Sequence, residues 1–368
     1  MESDFRFFDS RQKYLLFITT TNEKSVVATE ISSVIEKLIP KKPALKIFDA
    51  GLGDGTLLMN VLRKCHTKFP TIPFLVAGKE ISMEDVRLTV EKLPDRFIEH
   101  PNMVFVVSNL HYSEATSLKS KNHEKQKKIN IEKFKLSGNS SHEFNLQLNQ
   151  LDEVLKKNWQ VEKSKNGNAT YKDPSVLIIY RQDYEMNLEN IISSLDQDKI
   201  DFDLILASQP YRSRISAEKK VNYVIKPMIE SLSLGGKLVL IHSCGNDSAH
   251  EIIKRIWPEE NPYLNLSKEI IKYLKNNLDE ELLNKIIFNS PKIIKYNLRA
   301  LPNEIQNGIS TSLVFSSWNA TTYVGQINDN KVLEAEKQGK YIAHVQEIIK
   351  KYGGLTFNDE LLIIERKN

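Results

Sequence analysis

The sequence predicts an α/β fold built on a doubly wound, mostly parallel sheet. Short apolar runs, typical of buried strands, alternate with amphipathic helical stretches over residues 24–110, and the alternation resumes over 202–245. A glycine-rich turn at 51–55, GLGDG, joins the first predicted strand to the helix that follows it. Units of this kind place helices on both faces of the sheet and bind ligands beyond the carboxyl ends of its strands.

Each predicted strand is a short apolar run that ends in turn residues, the pattern of a strand buried within a sheet. The run INIEKFKLSG differs because it alternates between apolar and polar residues, as a half-exposed strand does. In chain order, strands are predicted at 44–51, 73–82, 102–110, 129–138, within 165–180 after a turn, and at 202–211, 235–245, 312–327 and 359–367.

Apolar positions that recur three to four residues apart predict helices between these strands. Pro70 is expected to end the second helix, and Pro94 to break the third. Helices are predicted at 24–39, 56–69, 83–100, 140–162, 216–233 and 331–352.

The break in this alternation predicts the domain organisation. Residues 111–182 are expected to form an insertion with a small α+β structure of its own, which serves as a substrate or lid subdomain. The flanking segments, 20–110 and 183–368, are expected to form the core domain together. Within the second of them, 250–307 is predicted to be a largely helical, proline-interrupted lid.

The composition narrows the class of protein. The chain has 368 residues and a net charge of only +4, which argues against a bulk nucleic-acid binder. No apolar run reaches the length of a membrane span, and the N-terminus lacks the apolar stretch of a signal peptide. The two cysteines, Cys65 and Cys244, fit neither a disulfide framework nor a zinc site, so we expect a cytoplasmic protein without a metal.

The glycine turn has two interpretations: a tight packed turn, or a backbone that a nucleotide approaches closely. Glu80 favours the second, because it ends the second strand, where a carboxylate accepts hydrogen bonds from ribose hydroxyls. Thr56 stands where the dinucleotide fingerprint needs glycine or alanine, and this disfavours a nicotinamide dehydrogenase.

The spacing D-x-G-x-G-x-G, formed by Asp49, Gly51, Gly53 and Gly55, resembles motif I of the class I S-adenosylmethionine-dependent methyltransferases. The resemblance covers most of 20–110 and 200–245. It implies S-adenosylmethionine as cofactor, with its methionine part over the glycine turn and its ribose on Glu80. It further implies an adenine contact from Asn109 and a terminal antiparallel pair made by the last two strands.

The stretch SQPY at 208–211 resembles the [DNS]-P-P-[YFW] signature of the amino-methylating members, with glutamine in place of the first proline. The resemblance implies that Ser208, Gln209 and Tyr211 line the acceptor pocket, with Ser208 and Tyr211 in catalytic roles and Ser208 also near the cofactor. The alternative is a strand-to-helix turn in which Tyr211 packs.

Four further residues are candidates for the site. His242 follows the fifth strand of the core and is a candidate general base, and Cys244 is a candidate nucleophile or wall of the substrate pocket. Asn22 and Lys24 either hold the carboxylate of the cofactor or merely start a helix.

Three functions remain open at this point. The first is a methyltransferase that acts on a small molecule or natural-product precursor, by in-line transfer to nitrogen or oxygen. The second is a nucleic-acid or protein amino-methyltransferase, suggested by SQPY and by the basic run at 119–135. The third is a regulatory protein that binds S-adenosylmethionine without turnover. The oligomeric state is not predicted.

Overall fold

The computed structural model describes residues 11–163, 169–197, 199–299 and 310–367. The turn predicted near 165–168 and the last part of the predicted lid, 300–307, lie outside the described residues.

A ten-stranded mixed sheet runs through the described part of the chain, in the order β10-β12-β9-β8-β1-β2-β3-β7-β4, with β11 also paired to β12. Two further strands, β5 and β6, form a separate hairpin. The strands are β1 (Leu45–Asp49), β2 (Phe74–Lys79), β3 (Met103–Ser108), β4 (Asn130–Leu136), β5 (Val161–Lys163), β6 (Ala169–Tyr171), β7 (Ser175–Arg181), β8 (Phe202–Ser208), β9 (Leu232–Ser243), β10 (Ile286–Phe288), β11 (Lys292–Asn297) and β12 (Thr356–Arg366).

The helices pack against both faces of this sheet. They are α1 (Arg11–Thr20), α2 (Glu23–Ile35), α3 (Thr56–Lys68), α4 (Met83–Val90), α5 (Pro94–Glu99), α6 (Tyr112–Ala115), α7 (His123–Gln126), α8 (Ser141–Leu148), α9 (Leu151–Asn158), α10 (Glu185–Ser194), α11 (Ala217–Lys220), α12 (Lys226–Glu230), α13 (Ser248–Ile256), α14 (Ser267–Asn277), α15 (Glu280–Asn284), α16 (Ser310–Val324), α17 (Asp329–Gln338) and α18 (Tyr341–Tyr352).

The parallel centre of the sheet, β3-β2-β1-β8-β9, is buried on both faces, as its apolar sequence predicts. Successive residues of a strand point to opposite faces. Ile47 of β1 thus packs with Ile31 and Leu58 of the helices on one face, while Phe48 packs with Ile225 and Met228 on the other. The predicted doubly wound, mostly parallel α/β fold is confirmed.

The far edge of the sheet ends in antiparallel strands, as expected, but one predicted member of the pair is wrong. β12 pairs antiparallel with β9 on one side and with β10 and β11 on the other. The predicted strand 312–327 is instead the helix α16, and β10 and β11 lie in the segment expected to be helical. The segment carries several β-branched residues, and every residue over 317–327 is buried, so its sequence has no clear helical period.

The insertion extends the main sheet. β7 runs antiparallel to β3, and β4 runs parallel to β7 at the edge. The insertion also reaches the end of β2, where Trp159 Nε1 donates to the backbone oxygen of Glu80 at 2.9 Å. Its role as a substrate or lid subdomain stays a prediction.

Candidate functional site

A cavity opens at the carboxyl ends of β1, β2, β8 and β9. Side chains from α1 and from the end of α16 also line it. Open α/β sheets bind ligands at this edge. The predicted site residues that line the cavity are Lys24, Gly51, Gly53, Glu80, Ser208 and Gln209.

The glycine turn between β1 and α3 forms the floor of the cavity. Gly51 faces open space, with no atom within 4 Å of the position that a Cβ would take. Gly53 has a φ of +52°, and a Cβ there would overlap the hydroxyl of Tyr14 from α1. That hydroxyl donates to Asp54 Oδ1 and accepts from Asp54 N, both at 3.1 Å. Tyr14 is therefore held directly over the turn.

Asp49 and Gly55, predicted to bind the cofactor, instead shape the turn from behind. Asp49 Oδ1 accepts from Gly51 N at 3.1 Å, and burial raises the pKa of Asp49 to about 6. Gly55 precedes α3 with a φ of +78°, and a Cβ there would press on Thr89. Both residues act on the cavity through the backbone they hold.

Glu80, at the end of β2, extends its carboxylate across the glycine turn. Oε2 accepts from Gly53 N at 2.9 Å, while Oε1 accepts from Ile81 N at 2.8 Å and from Ser82 N at 2.9 Å. A carboxylate oxygen has two lone pairs, so Oε2 retains one for a ligand hydroxyl. Three backbone donors thus hold an acceptor in place before any ligand arrives.

A second acid, Asp85, lies close to Glu80 and pairs with Arg11 of α1. Burial, followed by the charge of Glu80, raises the pKa of Asp85 to about 7. Arg11 keeps two buried nitrogens, Nε and Nη2, without hydrogen-bond partners. This part of the cavity offers both donors and acceptors, which suits a polar ligand.

A buried ion pair at the start of α2 lines another part of the cavity. Lys24 Nζ lies 3.1 Å from Glu23 Oε2. Burial alone would lower the pKa of Lys24, but the Glu23 carboxylate raises it overall, so the ammonium stays charged. Asn22 has a structural contact instead: its Oδ1 accepts from Asn297 N at 2.7 Å and ties α2 to β11.

Ser208 and Gln209 form the wall that follows β8. Ser208 Oγ is buried, faces the cavity and has no hydrogen-bond partner. Gln209 has a φ of +52°, an uncommon conformation for a residue with a side chain. Its Nε2 donates to Ser243 Oγ at 3.0 Å and to Asp359 Oδ1 at 3.3 Å, and its Oε1 accepts from Ser243 N at 3.3 Å. These three bonds hold the strained turn, and the Ser208 hydroxyl beside it remains free to hydrogen-bond a ligand.

Tyr211, His242 and Cys244 lie behind this wall, away from the cavity lining. Tyr211 Oη and His242 Nδ1 are 3.3 Å apart, and His242 Nε2 lies 3.1 Å from Glu360 Oε2. Burial lowers the pKa of His242 and raises that of Cys244 to about 12. In β9 the side chain of Ser243 lines the cavity, so that of His242 points to the other face. The geometry therefore supports neither a general base at His242 nor a nucleophile at Cys244.

Asn109 does not line the cavity either, because the insertion takes up its whole side chain. Its Oδ1 accepts from Ser175 N at 2.8 Å, and its Nδ2 donates to the backbone oxygens of Asn158 at 3.2 Å and Asp173 at 2.9 Å. The implied adenine contact is therefore not available from this side chain.

Sequence reasoning missed the residues that come from distant elements. Arg11, Tyr14 and Phe17 belong to a helix that was not predicted, and Tyr296 and Tyr323 belong to elements assigned to the wrong class. No local signal marks α16 as a helix, because its second half is buried on every side. The described residues contain no cluster of His, Cys, Asp or Glu that could hold a metal, and no described helix could cross a membrane.

Comparison with known proteins gives only distant likenesses. No family model and no curated protein matches the chain. It resembles the YcgJ protein from Bacillus subtilis at 9% identity and a TM-score of 0.37, over 92% of this chain and 98% of the other. It resembles geranyl diphosphate methyltransferase, solved with GPP and sinefungin, at 10% identity and a TM-score of 0.34, over 92% and 78%.

A third structure is a Galdieria sulphuraria protein thought to be a sarcosine dimethylglycine methyltransferase, at 9% identity and a TM-score of 0.38, over 94% and 86%. Geranyl diphosphate methyltransferase has also been solved with S-adenosylmethionine. All these TM-scores lie below 0.5, so the likeness is one of general outline and the function is inferred from the site itself.

Proposed function

We propose that this protein is an S-adenosylmethionine-dependent methyltransferase that acts on a small molecule. The observation that carries the proposal is the position of Glu80. Its carboxylate is fixed on Gly53 N, keeps a free lone pair and borders the cavity above the open Gly51 backbone. A carboxylate beside a βα turn that a ligand can approach closely fits the ribose of a nucleoside-bearing donor.

The lining residues fit the chemical groups of S-adenosylmethionine. Glu80 would accept from the ribose hydroxyls, the turn at Gly51 would admit the methionine part, and Lys24 would pair with its carboxylate. Bound there, the donor supplies a methyl carbon made electrophilic by a sulfonium sulfur.

The residues of the chain contribute enclosure and orientation. Tyr14 and Phe17 of α1 and Tyr323 of α16 line the cavity and would shield the reacting groups from water. Ser208, with its unpartnered hydroxyl, and the fixed wall at Gln209 would orient an acceptor, and alignment is the main requirement of an in-line transfer.

The same aromatic lining favours a small acceptor over a nucleic acid. The predicted basic run reaches β4, the outermost strand of its edge, which β7, β3 and β2 separate from β1. It therefore does not line the cavity. Both cysteines are free and buried, in keeping with the reducing cytoplasm expected from the sequence.

The test is a calorimetric and thermal-melt titration with S-adenosylmethionine, S-adenosylhomocysteine, NAD and NADP. We expect the first two alone to bind, and a ligand at 100 times its Kd raises the free energy of unfolding by about 2.7 kcal/mol. Binding of NAD or NADP instead would refute the proposal. Release of S-adenosylhomocysteine on incubation with small metabolites would separate an enzyme from a regulatory protein.

A matched pair of variants ties the binding to the site. Glu80→Gln keeps the shape but loses the charge, and we expect the affinity for S-adenosylhomocysteine to fall at least tenfold, or about 1.4 kcal/mol. Glu36→Gln is the control, because Glu36 is an exposed residue paired with Lys68 and should leave the affinity unchanged. Equal affinities in the two variants would remove Glu80 from the site.

A further inference from the structure

One side of the cavity combines aromatic rings with carboxyl groups. We name Phe17, Glu23, Tyr296, Tyr323 and Asp359 the acidic aromatic corner. The ring of Phe17 lies 5.2 Å from that of Tyr323 and 6.2 Å from that of Tyr296, measured between centroids. The three rings and Glu23 line the cavity, and Asp359 lies directly behind Gln209 and Ser243.

The corner contains more carboxyl groups than cations. Glu23 and Asp359 are both fully buried, and Lys24 is the ammonium that pairs with Glu23. Asp359 Oδ1 accepts from Ser243 Oγ at 3.0 Å, whereas its Oδ2 is buried without a hydrogen-bond partner. Burial first, and then the charge of Glu23, raises the pKa of Asp359 well above its usual range, which shows that the two acids are near enough to repel.

An independent observation shows that the corner is incomplete. Tyr296 is 1% exposed and lines the cavity, yet its hydroxyl is buried without a hydrogen-bond partner. Buried hydroxyls almost always have a partner, so this one is available to hydrogen-bond a ligand group. Ser208 Oγ, on the neighbouring wall of the cavity, is also buried without a hydrogen-bond partner.

We infer that the acidic aromatic corner binds the acceptor, and that the acceptor is a primary or secondary amine that enters as an ammonium ion. An ammonium offers several N–H donors to carboxylate and hydroxyl oxygens, and its charge is attracted to aromatic faces. A carboxylic acid or phosphate would instead be repelled by the Glu23 carboxylate.

This inference rests on the proposed function, because a bound donor would strengthen the binding of an amine in the corner. If Lys24 also pairs with the carboxylate of the methionine part, Glu23 shares the cation that it has alone here. A buried carboxylate with only a shared counter-charge is costly, so the bound donor would favour a second cation in the corner.

The chemistry balances with the groups present. The bound ammonium gives one proton to the Glu23 carboxylate, which frees the nitrogen lone pair. The lone pair forms the N–C bond to the methyl carbon while the C–S bond breaks and leaves its electron pair on sulfur. The product leaves as a methylated ammonium ion, and the proton on Glu23 returns to water.

The first experiment measures binding. Protein saturated with S-adenosylhomocysteine is titrated with three pools of small molecules of matched size: amines, alcohols with phenols, and carboxylic acids. We expect the amine pool alone to raise Tm further, by about 2 °C or more, and to release S-adenosylhomocysteine from S-adenosylmethionine. If another pool has this effect, or none has, the inference is wrong and the proposed function still stands. If S-adenosylhomocysteine itself does not bind, the proposed function fails first.

Two variants and a control locate the effect. Glu23→Gln should weaken the binding of an active amine at least tenfold without lowering the affinity for S-adenosylhomocysteine. Tyr296→Phe keeps the ring, removes only the unpartnered hydroxyl and should weaken the amine alone, so it serves as the test if Glu23→Gln folds poorly. Glu30→Gln on the same helix, whose carboxylate pairs with Lys292, should change neither affinity. A loss of S-adenosylhomocysteine affinity in Glu23→Gln would assign Glu23 to the donor and overturn the inference.

Discussion

The hydroxyl of Tyr14 lies where any side chain at residue 53 would have to go, so one contact links the glycine turn to a helix that covers it. Two separate constraints therefore demand glycine at this position. One is the positive φ of +52°, and the other is the space that Tyr14 occupies.

A comparison of two glycines separates these constraints. Gly339 has a φ of +68° but no atom within 4 Å of its Cβ position. Gly53→Ala and Gly339→Ala should each lose about 1 kcal/mol of stability from backbone strain. Only Gly53→Ala should also displace Tyr14 and weaken the binding of S-adenosylhomocysteine, by at least tenfold in calorimetry. Unchanged binding in Gly53→Ala would show that Tyr14 moves without consequence.

Individual site residues differ in how far the sequence predicts them. Gly51, Gly53 and Glu80 could be placed because βα turns and strand ends have fixed positions in a parallel sheet. Asn109 could not, since its hydrogen-bond partners come from the insertion. His242 is one residue out of register, because strand alternation turns its neighbour Ser243 to the cavity instead.

Among the elements, α1 has the clearest connection with function. It packs against α16, and Arg11, Tyr14 and Phe17 face the cavity from it. These side chains border the position proposed for the donor, so a donor held there would contact the helix.

Donor binding should therefore slow amide hydrogen exchange in α1. With saturating S-adenosylhomocysteine, peptides that span 11–20 should exchange more slowly, since local opening of the helix would also break ligand contacts. The peptide that contains α8, which packs on α5 and does not line the cavity, is the internal control. If α1 exchanges at the same rate with and without ligand while the affinity is high, the helix does not contact the bound donor.

The elements that the sequence predicts poorly are those whose class depends on tertiary contacts. The parallel strands are recognisable because burial on both faces requires continuous apolar runs. α16 carries β-branched residues that favour a strand, and its second half is buried on all sides among α1, α13 and α18, so no local period marks it as a helix. β11 exposes alternate residues, and only its pairing with β12 reveals it as a strand.

For the protein as a whole, stability should depend on pH through a buried histidine stack. The rings of His66 and His100 lie 4.9 Å apart. Burial, and then the charge of His100, lowers the pKa of His66 to about 4, with Glu99 and Arg96 as its other charged neighbours. The unfolded chain binds this proton near pH 6.5, so the stability present above that pH is lost as the pH falls toward 4.

His66→Phe should reduce this loss of folding stability at low pH. Between pH 7 and pH 5, the wild type should lose about 2 kcal/mol more than the variant in urea unfolding. The quantity to measure is the difference between the stability curves of the wild type and the variant. Buried acids alone would make the protein more stable at low pH, because the pKa values of Asp49 and Asp85 are raised to about 6 and about 7. The exposed His142→Phe should follow the wild type, and parallel curves for His66→Phe would contradict the assignment.

The hydrogen bonds that hold the Gln209 side chain also have a consequence for the order of folding. Ser243 and Asp359, which together hold it, are 116 residues apart in the chain, whereas β1 and β2 pair through one short crossover. Contacts between distant segments form later because more chain must be ordered before they are made. We therefore expect a folding chain to assemble the glycine turn and Glu80 first and the acceptor wall last. A partly folded molecule would then bind the donor before it can bind an acceptor.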